Sequence, residues 1–191
     1  MKSVVLQRED RENLATISRS QLYQQPKTFV FGFSKGGTVL NQLVSELSFA
    51  DLMSHEDLSD SQREEFHDQI MPGTKEGFLN SIIEIHYIDV GLNSAGAYIT
   101  DEDTIERIAT RLPQRAERDK GIRFVLHGTP RQWCDSRRSW IRDEKDKLIR
   151  LIQSGAQMSG GELQVLERFY FAERQPDLQM HFEIIEKFDV S

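Results

Sequence analysis

The sequence predicts an α/β fold, a mostly parallel sheet flanked by helices. Three observations carry this. Short apolar runs at Phe29–Phe33, Ile82–Asp89 and Ile122–His127 alternate with helical stretches, the pattern of parallel strands joined by right-handed crossovers. The first run is apolar on both faces, as in a strand buried within a parallel sheet. A glycine-flanked serine at Gly32-Phe33-Ser34-Lys35-Gly36 sits where that strand gives way to a helix.

Each element has its own signal. Residues 8–23 space Leu14, Ile17 and Leu22 for a modest amphipathic helix, which Pro26 ends. After the Phe29–Phe33 strand, Val39, Leu40, Leu43, Val44 and Leu47 form one helix face. Residues 51–73 are rich in Asp and Glu and read as an acidic surface insertion, with a helix over 60–69, closed by Pro72-Gly73. A short helix from Thr74 to Asn80 leads into the Ile82–Asp89 strand, and Gly91–Gly96 is a loop. Asp101 starts a helix with Ile105, Ile108 and Leu112 inward. The Ile122–His127 strand, a Gly128–Asp135 loop and a long helix over Ser136–Ser154 follow. That helix should bury Trp140, Ile141, Leu148, Leu151 and Ile152. Leu163–Phe171 alternates as a fourth strand, Glu173–Leu178 is a polar loop, and a last short helix or strand begins at His181. The chain reads as a single domain over 1–191.

Composition narrows the function classes. The 191 residues, 38% hydrophobic and 29% charged, suffice for one domain with a real core. A net charge of −7 argues against a nucleic-acid binder. No apolar stretch is long enough to cross a bilayer. The first ten residues lack the apolar core of a signal peptide and the acid-poor character of a transit peptide. One cysteine, Cys134, excludes an internal disulfide. Taken as given, the chain would stay in the cytoplasm.

The turn at Ser34 is the strongest functional signal. Gly-x-Ser-x-Gly between strand and helix is the pattern of a nucleophile elbow, which belongs to the α/β-hydrolase framework. The expectation is that Gly32 and Gly36 both leave room for the close pass of strand and helix. The backbone N–H of Lys35 would face the forming oxyanion. A serine hydroxyl needs an imidazole to take its proton and a carboxylate to fix that imidazole's tautomer. In this framework the order along the chain is serine, acid, histidine. His55 and His67 fall in the acidic insertion, and His86 lies inside a strand on the same face as Glu84. His181, after the last strand, is the favoured base, with His127 at the end of the third strand as the alternative. For the acid, Asp135 in the loop after the third strand ranks ahead of Asp89 at the end of the second. Asp135 has a competing structural role as a helix N-cap.

No cofactor is expected. No histidine pair has metal-binding i, i+4 spacing, there is no cysteine pair, and Gly36-Gly37 does not complete a phosphate loop. Arg137 and Arg138, between Trp133 and Trp140, read as an ordinary helix start before an anion site.

Several segments together resemble one family. They are Gly32-Phe33-Ser34-Lys35-Gly36 with Val39-Leu40-Asn41-Gln42-Leu43, Tyr87-Ile88-Asp89-x-Gly91, His127-x-Thr129-Pro130, Asp135-x-x-Arg138-Ser139-Trp140-Ile141, and His181-Phe182. They are similar to a eukaryotic family of mitochondria-associated, serine-hydrolase-like proteins whose human member is the product of open reading frame sixty-nine of chromosome two. The matches run from about residue 29 to 188. The resemblance implies an α/β-hydrolase-like fold, serine-hydrolase chemistry, a mitochondrial location and a link to glycogen metabolism. It leaves Asp89, His127, Asp135 and His181 all as candidates. Members of that family carry a long region before the elbow, whereas 33 residues precede Ser34 here. The expectation is therefore the C-terminal part of the fold, without its N-terminal strands and with a sheet edge open to a partner. Lys35 would be the one remaining oxyanion donor, and losing its companion typically costs ~10²–10³ in rate. The expected substrate is a small-molecule or lipid-like ester or thioester. The alternatives are a non-catalytic binding or scaffold module on a hydrolase fold, or an inactive truncated form.

Overall fold

The computed structural model describes residues 27–50, 75–114 and 121–189. The helix expected over 8–23 and the 51–73 insertion with His55 and His67 lie outside the described residues. Four strands form one parallel sheet in the order β1-β2-β3-β4: β1 Thr28–Phe33, β2 Ile82–Ile88, β3 Ile122–Gly128 and β4 Leu163–Phe169. The helices are α1 Gly37–Leu47, α2 Lys75–Ser81, α3 Glu102–Arg111, α4 Pro130–Trp133, α5 Ser139–Met158 and α6 Gln179–Lys187. This is an α/β fold, as the alternation predicts.

The period of two in each strand divides the sheet into two faces. Ile85 and Tyr87 of β2, Phe124 and Leu126 of β3 and Leu163 of β4 join one buried core with Leu40 and Val44 of α1, Ile105 and Ile108 of α3, and Ile141, Leu148 and Ile152 of α5. Close helix–sheet contact is possible where glycine replaces a side chain. A Cβ on Gly155 of α5 would come within 2.9 Å of Leu163 and 3.1 Å of Ala109. The opposite face carries Phe31 and Phe33, Glu84, His86 and Ile88, Val125 and His127. Residues of α6 and the segment after it lie against this face, since His181 stacks on Phe33 and Phe188 lies against His127.

Several features differ from expectation for physical reasons. The loop after β3 contains α4, which Pro130 starts at the first helical position, where its lost N–H has no intrahelical role. The long charged helix is preceded by a separate 3-10 turn, Ser136–Arg138, capped by Asp135. The first strand is not buried on both faces: Phe29 and Phe31 are 40% and 43% exposed. Among the described residues, β1 pairs with β2 alone, so it is the edge of the sheet.

Candidate functional site

The carboxyl ends of β1, β2 and β3 bring the candidate groups to one edge of the sheet, where open α/β sheets place ligands. Ser34 leaves β1 with φ +55°, a left-handed conformation that non-glycine residues seldom adopt. A 3-10 turn over Ser34–Gly36 carries the chain straight into α1. Gly32 makes that turn possible, because a Cβ there would lie 2.6 Å from the Leu40 side chain and 2.8 Å from the Gly36 carbonyl oxygen. Gly36 does not share this role, contrary to the sequence reading. Nothing lies within 4 Å of a Cβ at Gly36. The second close approach belongs to Gly37, whose Cβ would meet the Ala97 carbonyl oxygen at 2.9 Å.

Asp89 is the first residue past β2. It is fully buried and also left-handed, with φ +43°. Its backbone N–H donates to the His127 carbonyl at 2.7 Å. One carboxylate oxygen accepts the Thr129 N–H at 2.9 Å. The other lies 2.6 Å from His181 Nδ1. A carboxylate only accepts, so His181 donates from Nδ1, the arrangement that in a neutral imidazole puts the lone pair on Nε2. The His181 ring stacks on Phe33, the residue before Ser34, with centroids 4.6 Å apart. The structure thus brings Asp89, His181 and the Ser34 turn together.

Asp135, the acid ranked first in the sequence, goes elsewhere. It accepts from the Arg137 N–H at 3.0 Å and from the Arg137 and Arg138 guanidinium groups at 3.1 and 3.2 Å. The hydrogen bonds from Arg137 hold its carboxyl down at about 2. Asp135 is the cap of the turn after α4, and it aims at its neighbours, away from a histidine. Arg138 also reaches the Gln132 side chain at 3.0 Å, so the two arginines are used within the protein.

His127, the alternative base, is buried and hydrogen-bonds to His86 and Tyr170. Burial pushes its pKa down to about 4, aided by the neighbouring His86 and Arg168. It meets neither candidate acid through its side chain.

The sequence gives little warning of the supporting residues. The loop after β2 is fixed by Glu144 of α5, which accepts the N–H groups of Gly96, Ala97 and Tyr98 at 2.7, 2.8 and 3.2 Å. Asn41 of α1 donates to the Gly96 carbonyl at 3.0 Å and accepts from the buried Tyr87 hydroxyl at 2.9 Å. Trp133 of α4 donates to Tyr98 at 3.0 Å. These bonds tie the loop after β2 to α1, α4 and α5. The signals for Asp89 were its position directly on a strand end and its place in the Tyr87-Ile88-Asp89-x-Gly91 segment.

The chain matches the C2orf69 family over residues 3–156. It belongs to that family. A mouse relative named mitochondrial protein C2orf69 homolog is 29% identical over 161 residues, covering 83% of this chain and 34% of the mouse protein. The human mitochondrial protein C2orf69 is 28% identical over 163 residues, covering 83% of this chain and 33% of the human one. A zebrafish homolog of the same name is 24% identical over 161 residues, covering 83% and 37%. The chain therefore spans about a third of the length of these C2orf69 relatives. No solved structure matches it. Family membership and the relatives' names support a mitochondrial location. No helix among the described residues is long and apolar enough to cross a membrane.

Proposed function

We propose that this C2orf69-family chain carries the catalytic centre of a serine hydrolase acting on an ester or thioester. The observation that carries the reading is the buried Asp89–His181 pair, stacked on the residue that precedes a left-handed serine at a strand-to-helix turn. The order Ser34, Asp89, His181 along the chain is that of α/β-hydrolases. The layout gives further support, with α1 leading off the serine turn, the acid on the next strand end and the histidine after the last strand.

The Asp89–His181 hydrogen bond supports the roles of that pair, and the turn at Ser34 and the order along the chain support the rest. Asp89 accepts from His181 Nδ1–H and so fixes the imidazole's tautomer. His181 Nε2 takes the Ser34 hydroxyl proton as Oγ attacks the carbonyl carbon. The backbone N–H of Lys35 is the donor for the resulting oxyanion. The bond to the leaving oxygen or sulfur then breaks, and His181 gives that atom its proton. Water, activated by the same imidazole, releases the acyl group from Ser34.

Labelling with a fluorophosphonate probe tests this directly. The protein should be labelled and its Ser34→Ala variant should not. Equal labelling of both would sink the hydrolase reading and favour a binding role for the same fold.

A further inference from the structure

The sheet face that α6 lies against holds a second row of polar side chains, which the proposed reaction does not use. Glu84 and His86 lie on β2, His127 on β3, and Tyr170 just past β4. Glu84 Oε2 is 2.9 Å from His86 Nε2. His86 Nδ1 is 3.1 Å from His127 Nε2. His127 Nδ1 is 3.0 Å from the Tyr170 hydroxyl. Arg123 holds the other Glu84 oxygen at 3.0 Å. Both imidazoles are buried, whereas Tyr170 is partly open.

The acid end sets the direction of the whole row. A carboxylate paired with a guanidinium accepts and cannot donate. His86 must therefore donate from Nε2. A neutral imidazole has one N–H, so its Nδ1 accepts. His127 then donates from Nε2 and accepts at Nδ1 from the Tyr170 hydroxyl. Burial lowers the pKa of both histidines and keeps them neutral. Tyr170 has one proton, and it points inward. The lone pairs left on the phenol oxygen can only accept.

Tyr170 also lies on the edge that carries the candidate site. Its N–H donates to the Gly128 carbonyl at 2.9 Å, and the neighbouring His127 carbonyl holds the Asp89 N–H at 2.7 Å. Ser34 follows β1 and Tyr170 follows β4, so they stand three strand spacings of ~4.8 Å apart, about 14 Å along the edge.

We propose that Tyr170 is a specificity residue, accepting a hydrogen bond from a hydroxyl or amide N–H at the far end of a long acyl substrate whose carbonyl sits at Ser34. This rests on the hydrolase reading and names its substrate class. Such a site disfavours a carboxylate at that far end, which brings a second acceptor to face the first.

Two measurements test it. The first is the tautomer of each histidine, read by long-range proton–nitrogen NMR of the protein at pH 7. Both His86 and His127 should be Nε2–H; an Nδ1–H form or an imidazolium at either overturns the inference alone. The second is turnover of p-nitrophenyl esters of unsubstituted and ω-hydroxy fatty acids of increasing length. At one length the ω-hydroxy ester should be favoured by about 3–10-fold in kcat/KM, the worth of one neutral hydrogen bond. In Tyr170→Phe that ratio should fall to about one. No preference at any length, or one that survives in Tyr170→Phe, overturns the inference while the hydrolase reading stands. Absence of Ser34-dependent turnover overturns both.

Discussion

Asp89 and Asp135 both follow strands at the carboxyl edge of the sheet, and they have opposite fates. Asp89 is the first residue past β2. The strand ladder fixes where it starts, and a bond to the His127 carbonyl holds its backbone in a left-handed conformation. Asp135 comes after α4, far enough from β3 that its nearest neighbours in sequence decide its orientation. It caps a turn and pairs with Arg137 and Arg138. The difference shows what a buried carboxylate needs in order to serve a histidine. It needs a rigid origin and donors that leave one oxygen free. Strained backbone of this kind persists only where surrounding bonds over-determine it, and Asp89 has the Thr129 N–H, the His127 carbonyl and His181 around it.

The comparison breaks most sharply on activity. In Asp89→Asn, the Oδ1 atom can still accept from Thr129. The new amide would meet the His181 Nδ1–H as donor against donor. The imidazole must then shift its proton to Nε2 and lose the lone pair that serves as base. We expect a fall in kcat on the order of 10³–10⁴ for p-nitrophenyl butyrate. Asp135→Ala should leave kcat near wild type. A large loss in the second variant and none in the first would invert the assignment.

Acid separates Asp135 from the histidine row. His127 is held at about 4 in the folded protein against about 6.5 unfolded. The unfolded chain therefore binds more protons between those values. Stability is full above pH 6.5 and falls as pH drops toward 4, by roughly 3 kcal/mol in all. Burial is the main cause of this depression, and the neighbouring His86 and Arg168 add to it. The Asp135 carboxyl is depressed, so its ties to the arginines hold above 3.8 and are lost only as pH falls toward about 2. Denaturant midpoints measured from pH 7 to 4 should thus report the histidines. His127→Gln should flatten the slope over that range, and an unchanged slope would count against a neutral buried His127.

The two glycines around Ser34 offer the same kind of contrast on stability. Gly32→Ala drives a Cβ into Leu40 and the Gly36 carbonyl, which should cost about 1–3 kcal/mol and displace the turn. Gly36 has helical angles, φ −60° and ψ −16°, and open space around it. Gly36→Ala should be neutral or stabilising by about 0.4–1 kcal/mol, through the unfolded chain. Urea unfolding of both variants checks this, and equal losses would refute it.

The fold was largely legible because strand–helix alternation depends on local pattern. Helix and strand periods located β2, β3, α1 and α3 nearly to the residue. The exposed face of β1 was not legible, since Phe29, Val30 and Phe31 look the same in an edge strand as in a central one. Of the candidate site, half was legible: Ser34 by its motif and His181 by its order along the chain. The choice between Asp89 and Asp135 turns on aim, which a sequence does not carry. Nor does it carry the contact between His86 and His127, which are 41 residues apart and meet only through the β2–β3 register.

Thr129 gives the smallest effect and isolates one half of what holds Asp89. Its backbone N–H binds the Asp89 carboxylate, while its hydroxyl is fully buried with no hydrogen-bond partner among the described residues. An unpaired buried hydroxyl lowers stability, whereas an apolar group of the same shape carries no such penalty. Thr129→Val keeps the N–H and the branched shape and removes the oxygen. We expect thermal stability to rise by up to about 1 kcal/mol, with kcat unchanged, because the bond to Asp89 comes from the backbone. A fall in kcat without a loss of stability would mean that the hydroxyl, too, serves Asp89 or the substrate, and the support of the acid would then reach beyond the main chain.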